Sequence, residues 1–345
     1  MLDERCQTMR RMVVTKNGDP SVIEIQEIDD IRPNSDEVVI ETAFAGVNFA
    51  DCLMRLGIYR PRPKPPFTPG YELSGTITAV GEGVEGMEVG QRVVAATPNG
   101  AQASHVAVRA KRCFSVPDQI SLETAAAVPV TYLTAWHMLV HLGNLQSEES
   151  VLIHGAAGGV GTAATQICQM HGVERIFGTA SASKREAVTE FGVHFIDRNN
   201  EDFVAVVREM TKGEGVDHIL DPIGGTNMRR SLSTLAHGGR LYAFGLSEAA
   251  PAARFKPMKA IRALRRMPKL RPTIMMSRNQ GVFGVHIGTF TREAILRSHM
   301  KSIIAGVESG VLKPVIDSVI PLDEAAKAHQ RMHDGLNVGK ILLQP

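Results

Sequence analysis

One stretch, HGAAGGVG at residues 154–161, limits what this chain can fold into more than any other. An apolar run, Val151-Leu152-Ile153, leads into it, and a helix-patterned segment, Val160 to Met170, leads out. Strand, glycine turn and helix in that order is what a dinucleotide pyrophosphate requires. Ala156, Gly158 and Gly161 occupy the three small-residue positions of a G-x-G-x-x-G-like turn, with alanine at the first. Gly158 lets the backbone approach a diphosphate and Gly161 lets the helix pack on its strand, while the unpaired N–H groups of the first helical turn face the anion. The expected contacts are therefore Ala157, Gly158, Gly159, Val160 and Gly161. An ordinary tight turn has the same composition, so the following segments must decide.

The next strand pattern, Arg175 to Thr179, ends roughly 20 residues beyond the turn, where an NAD-type site wants a carboxylate. The sequence there is GTASASKREA, without an acid until Glu186. Gly178, Thr179 and Ser181 stand beside Lys184 and Arg185, and small hydroxyl and cationic groups suit a ribose 2′-phosphate. NADPH is the expected cofactor, with Arg198, after the apolar stretch Val193 to Ile196, closing the phosphate pocket from a neighbouring strand. The alternative is that Ser183 caps a helix and Lys184 and Arg185 are merely solvated.

A chain of 345 residues accommodates two domains, and a net charge of +2 does not call for nucleic acid as a partner. The four cysteines, Cys6, Cys52, Cys113 and Cys168, are scattered and form no C-x-x-C pair, which fits a reducing cytoplasm and indicates no zinc knuckle. The opening residues MLDERCQ contain acids and no signal-peptide core, and residues 1–8 read as an extension before the first strand.

From Met12 to about Val128 the pattern is of short strands and turns: Arg11 to Thr15, Val22 to Glu27, Glu37 to Ala45, Glu72 to Val80 and Arg92 to Ala96. Beyond Glu123 strands and helices alternate. Strands are expected at Val151 to His154, Arg175 to Thr179, His194 to Asp197, His218 to Asp221, Arg240 to Phe244 and Val282 to Ile287. Helices are expected near Val160 to Met170, Lys184 to Phe191, Asp202 to Met210, Met228 to Leu235 and Thr291 to Glu308. That alternation predicts a doubly wound parallel sheet in an α/β protein. The closing patterns, Val315 to Pro321 and Lys340 to Leu343, are expected to rejoin the first domain. The boundaries drawn are 1–128 with 289–345 for one domain and 129–288 for the other.

Several motifs, AGVNFAD (45–51), GIY (57–59), PGYELSG (69–75), VGQRVV (89–94), HGAAGGVG and NVGKILL (337–343), together resemble the medium-chain dehydrogenase/reductase superfamily. The closer similarity is to its zinc-independent quinone oxidoreductase branch, and the region around VFGVHIG is similar to synaptic-vesicle membrane protein homologues within it. The resemblance implies a GroES-like β-rich catalytic domain, a Rossmann NADPH-binding domain, and a homodimer formed by pairing the strands at Val282 to Ile287. It implies further cofactor contacts from Phe244 and Gly245, from Phe283, Gly284 and Val285, and from Asn337 and Gly339. Where the superfamily's zinc alcohol dehydrogenases carry cysteine and histidine ligands, this chain has Val47-Asn48 and Tyr71, so no metal site is expected. Two histidine pairs at helical spacing, His137 with His141 and His329 with His333, have no evident third ligand.

Reducing a quinone without a metal needs a hydride donor facing the acceptor and a neutral donor to steady charge on oxygen. Asn48 offers an amide N–H, and Tyr59 a hydroxyl whose reference pKa is about 10. Thr131, in VPVTYLTAW, is expected to contact the nicotinamide ribose or amide. Asp51 either caps the helix that follows or takes part in chemistry. Quinone and enone or enal C=C reduction both remain open as the activity. A rival role is NADPH binding with little catalysis, in which the basic segment 254–271 docks on lipid or RNA. That segment, RFKPMKAIRALRRMPKLR, has Phe255, Met258, Ile261 and Leu264 at three-residue intervals among eight cations, including Arg254, Lys256, Arg265 and Arg266. It is read as either a weak membrane-surface contact, a cover over the acceptor site, or a solvated helix packed on the Rossmann domain.

Overall fold

The structure is a computed structural model describing residues 9–59, 63–250 and 257–345. The expected N-terminal extension 1–8 and Arg254, Phe255 and Lys256 of the basic segment lie outside the described residues. The chain divides into two units, 1–130 with 316–345, and 131–315.

Residues 131–315 hold a six-stranded sheet, every neighbouring pair of which is parallel. Across the sheet the order is His194–Asp197, Arg175–Ala180, Ser150–His154, Val216–Asp221, Leu235–Ala243 and Gly281–Gly284. Numbered along the chain this is 3-2-1-4-5-6, the Rossmann order, whose reversal between the first and fourth strands opens a crevice at their carboxyl ends. Leu152, Phe177, Ile196, Ile219 and Leu241 from five of the strands form the core with Phe203, Val207 and Met228 from the covering helices. The strands read as nearly continuous apolar runs because helices cover the sheet.

Residues 289–315 belong to this unit rather than to the β-rich one, which corrects the boundary expected at 288. Helix Glu293–Glu308 buries Met300 and Ile303, and Gln166 grips the backbone of Lys313 through both amide atoms, at 2.8 and 2.6 Å. An amphipathic pattern shows that a helix covers something but not which sheet it covers. The sixth strand is also shorter than expected, ending at Gly284 at one edge of the sheet, with a 3-10 turn over Ile287–Thr289.

The other unit is built on a seven-stranded sheet. Its order is Ile316–Pro321, Lys340–Gln344, Glu37–Val47, Glu72–Val80, Arg92–Ala96 and Cys113–Ser115, with His105–Arg109 also paired to Glu37–Val47. Only the first two strands run parallel. The closing segment thus returns to the β-rich unit, as expected from its pattern. The three-residue strand Cys113–Ser115 is too short to show period-two alternation, whereas His105–Arg109 alternates, with Val106 and Val108 buried, over only five residues.

Candidate functional site

At the glycine turn, the left-handed residue is Gly155, at φ +68°, one position earlier than the motif alignment suggests. Ala156 is buried and its N–H bonds Thr179 O at 3.1 Å, tying the turn to the second strand. Gly158 is the N-cap of helix Gly159–Met170. A β-carbon on Gly158 would meet only Gly155 O, at 3.3 Å, and otherwise project into open space. That open space, beside the N–H groups of the first helical turn, suits a diphosphate. Gly161 has a different reason: a β-carbon there would lie 2.5 Å from Ala156 O, so the helix could not sit where it does. Ala157, Gly159 and Val160 complete the turn, half-buried apart from Ala157, which is buried.

Buried His154 fixes the end of the first strand. Ser231 Oγ donates to Asn227 O at 3.0 Å, so its oxygen accepts from His154 Nε2, 2.9 Å away. His154 Nδ1 is then an acceptor and takes the Thr179 hydroxyl proton at 3.0 Å. Burial pushes the imidazole pKa down to about 4, which keeps it neutral. Thr179, expected to offer its hydroxyl to a ribose phosphate, is 2% exposed and spends its proton on His154. The strand's pleat turns that side chain inward.

The strand-end residues that do reach the surface are Ser181 and Lys184, both half-buried, and exposed Arg198, whose N–H bonds Ala180 O at 2.9 Å. Gly178 is small for packing, since a β-carbon there would come 2.8 Å from that of Ala156. Arg185 lies over the Phe195 ring at 4.3 Å. An acid missed in the sequence, Asp197, ends the neighbouring strand. The Asn199 N–H and the Asn200 amide hold its carboxyl below the usual range, and Arg185 and Arg198 add to this.

The β-rich unit contains a buried network around Asn48. Sheet register builds it: Ile341 pairs Val47 and Leu73 pairs Ala45, which brings Lys340 and Glu72 to either side of the strand end that leads into Asn48. Lys340 Nζ donates to Asn48 Oδ1 at 2.7 Å and to Glu72 Oε1. Asn48 Nδ2 donates to Glu72 Oε1 at 2.8 Å, and the Val130 N–H donates to Glu72 Oε2 at 2.7 Å. An ammonium cannot accept and an ionised carboxylate cannot donate, so only one orientation of the amide satisfies both neighbours. Gly46 makes room, because a β-carbon there would lie 2.5 Å from Glu72 Oε1. Sequence reasoning found Asn48 but not Glu72 or Lys340; the signal was an acid and a lysine, each at the first position of a strand.

Asp51, fully buried, caps helix Phe49–Arg55 by accepting from the Asn48 N–H at 2.7 Å, and it also accepts from Gly70 N and Gln102 Nε2. Burial raises its pKa to about 7. Tyr59 is half-buried against the core and hydrogen-bonded to Tyr71. Burial pushes its pKa up to about 12, and the Tyr71 hydroxyl is raised further, so both stay protonated at neutral pH.

The donors at the expected zinc positions do not fit the metal. Asn48 is held between an ammonium and a carboxylate, Tyr71 is a protonated phenol bonded to Tyr59, and the charge of Glu72 is met by Lys340. Among the described residues, no group of three His, Cys, Asp or Glu side chains could hold a metal ion. His137 and His141 stack at 5.0 Å near His299 and Phe290, and His329 lies with its Nδ1 3.4 Å from Cys52 Sγ.

Thr131 is buried in helix Pro129–Trp136. Phe244 follows the fifth strand with its N–H on Asp221 O at 3.1 Å, and a β-carbon on Gly245 would come 2.5 Å from Pro222 O. Phe283 and Gly284 lie in the sixth strand, whereas Val285, expected within it, follows it with its N–H on Ala243 O at 2.9 Å. Asn337 is buried and turns its amide onto Gly339 O at 2.9 Å.

A profile of the alcohol dehydrogenase GroES-like domain matches residues 34–118, and one of the zinc-binding dehydrogenase family matches residues 191–343. Over 99% of its length the chain is 35% identical to the synaptic vesicle membrane protein VAT-1 homolog of Danio rerio, covering 71% of that protein. It is 30% identical to the quinone oxidoreductase of Homo sapiens, over 97% of each chain. Among solved structures, Escherichia coli quinone oxidoreductase complexed with NADPH superposes with a TM-score of 0.85 at 28% identity, over 97% of this chain and 100% of that one. CurK enoyl reductase gives 0.84 at 29% identity, over 98% and 99%.

Proposed function

Since the chain belongs to the medium-chain dehydrogenase/reductase superfamily, in its quinone-oxidoreductase branch, we propose that it reduces quinones with NADPH and without zinc. The observation that carries the cofactor assignment is the glycine turn at the crevice of the 3-2-1-4-5-6 sheet, followed by a second strand, Arg175–Ala180, that leads into Ser181 and Lys184 instead of an acid. Bound there, NADPH supplies a hydride. The first turn of helix Gly159–Met170 holds the diphosphate, and Ser181, Lys184 and Arg198 hold the ribose phosphate.

Hydride addition to a quinone leaves charge on oxygen that one proton must neutralise. Asn48 steadies that charge through its amide: the nitrogen carries two hydrogens, of which Glu72 takes one. Lys340 and Glu72 are positioning residues that fix which way the amide faces. The Tyr59 hydroxyl, protonated at neutral pH and backed by Tyr71, is the second donor. We assign the same cytoplasmic enzyme a homodimeric state through the edge strand Gly281–Gly284.

An acceptor screen tests the reading: NADPH oxidation is followed with quinones and with enones, and the products are distinguished by mass and by the position of deuterium delivered from labelled NADPH. Hydroquinone formation that survives chelation of metals is expected. Turnover confined to C=C bonds would move the chain to enone or enal reduction. Saturable NADPH binding with no turnover on any acceptor would reject the enzyme assignment.

A further inference from the structure

We propose that the face built from helices Pro257–Arg266 and Pro272–Arg278 docks this protein on an anionic lipid bilayer. Half of the large apolar side chains left exposed among the described residues fall within this short stretch: Met258, Ile261, Leu264, Leu270, Ile274 and Met276. Met258 is 72% exposed and Met276 74%. The same stretch is wholly cationic, and the chain has no Asp or Glu at any position from 249 to 292.

The first helix shows that these apolar groups are not waiting for the protein's own core. It already has an inward face: Ala263 is 1% exposed, Ala260 and Met267 are half-buried, and Met267 Sδ accepts from Gly225 N at 3.0 Å. Spacing of three and four residues puts Ala260, Ala263 and Met267 on one side. Met258, Ile261 and Leu264 therefore form a second stripe, facing outward and bordered by Lys259, Arg262 and Arg265. An apolar stripe beside a cationic one suits the headgroup boundary of a bilayer, where chains take the first and anionic headgroups the second.

Other occupants fit less well. A second copy would set this all-cationic face against itself across a twofold axis. Single-stranded RNA would use the cations but leave the apolar stripe in water, and residues 257–278 contain no aromatic side chain on which bases could stack.

Docking is separable from the reductase reading, because it is measured without an acceptor. Full-length protein is floated with phosphatidylcholine vesicles, with and without phosphatidylglycerol, over a series of salt concentrations. Binding is expected only with phosphatidylglycerol and is expected to weaken with salt. Each cation near such a surface contributes about 1 kcal/mol, roughly fivefold in partitioning. Lys259→Gln/Arg262→Gln/Arg265→Gln should therefore weaken binding about a hundredfold. Arg266 is left in place because it lies 3.9 Å from Glu248 and its carbonyl accepts from Arg229. Met258→Ser/Ile261→Ser should also weaken binding, with thermal midpoint and NADPH affinity unchanged as evidence of an intact fold. Equal flotation of wild type and the triple variant overturns the proposal. So does undiminished binding of the serine variant, which would point to a polyanion such as RNA; a labelled single-stranded oligonucleotide displaced by the vesicles argues for one shared face, and its failure to bind leaves lipid alone.

Discussion

Lys340→Met probes the buried network that holds Asn48. The native ammonium is 3% exposed, faces a Glu72 that is fully buried, and donates to Asn48 Oδ1 at 2.7 Å. Methionine keeps most of the length and volume and removes the charge. The Glu72 carboxylate is then left with the Asn48 amide and the Val130 N–H as donors, in a place closed to water. Stranding one partner of a buried ion pair costs about 3–5 kcal/mol. Adding Glu72→Gln removes the stranded charge, and the double variant should return to within about 2 kcal/mol of wild type. Urea unfolding read by far-UV circular dichroism measures this. Trp136 is the only tryptophan and lies in the 131–315 unit, so its fluorescence follows that unit separately. The Lys340→Met transition should move in circular dichroism ahead of the Trp136 signal. With one of its two constraints gone, the Asn48 amide should also lose its fixed orientation, lowering kcat while NADPH affinity holds. A destabilisation under about 1 kcal/mol, or a double variant as unstable as the two single changes combined, would refute the argument.

Three further outcomes follow from other parts of the structure. Lys184→Ala should weaken NADPH by about tenfold to a hundredfold, the worth of one charge-assisted hydrogen bond, and leave NADH unchanged; an unaltered NADPH/NADH ratio in fluorescence titration would remove Lys184 from the phosphate site. Gly161→Ala should cost about 1–3 kcal/mol by overpacking, since the new methyl meets Ala156 O at 2.5 Å, and should weaken NADPH with it; a protein with normal urea midpoint and normal affinity would contradict this. His154 is held neutral, its pKa lowered from 6.5 to about 4. Its stabilisation is therefore complete above about pH 6.5 and is lost as pH falls through about 4, at a cost approaching 3 kcal/mol in the 131–315 unit. His154→Gln should flatten that acid loss, as read by Trp136 during denaturation at neutral and acid pH, and an equal loss in both proteins would mean other groups carry it.

What the sequence disclosed and what it withheld separate along a physical line. Strand and helix periodicity is a local property, and it located all six strands of the parallel sheet and the glycine turn between the first strand and its helix. Gly158 and Gly161 were legible because backbone approach and close packing both depend on the absent side chain itself. Thr179 was misread because a residue type shows that a hydroxyl exists, whereas its direction depends on the pleat and on Ser231, a residue from a distant helix. Glu72 and Lys340 were passed over for the same reason: they are 268 positions apart, and each alone looks like a charge at a strand end. Only register makes them partners, through Ile341 opposite Val47 and Leu73 opposite Ala45. Burying an acid alone would cost several kcal/mol, so a buried acid at a strand end implies donors elsewhere in the chain: backbone N–H groups and the Asn227 amide for Asp221, a cation for Glu72. Lys340 in NVGKILL is the kind of residue that requirement selects: a lysine opening a strand whose next three members, Ile341, Leu342 and Leu343, are apolar and buried. The same reasoning applied to residues 249–292, which carry many cations and no acid of their own, and of which Arg266 turns back to Glu248, leads the remaining cations of the helix outward to an anionic surface.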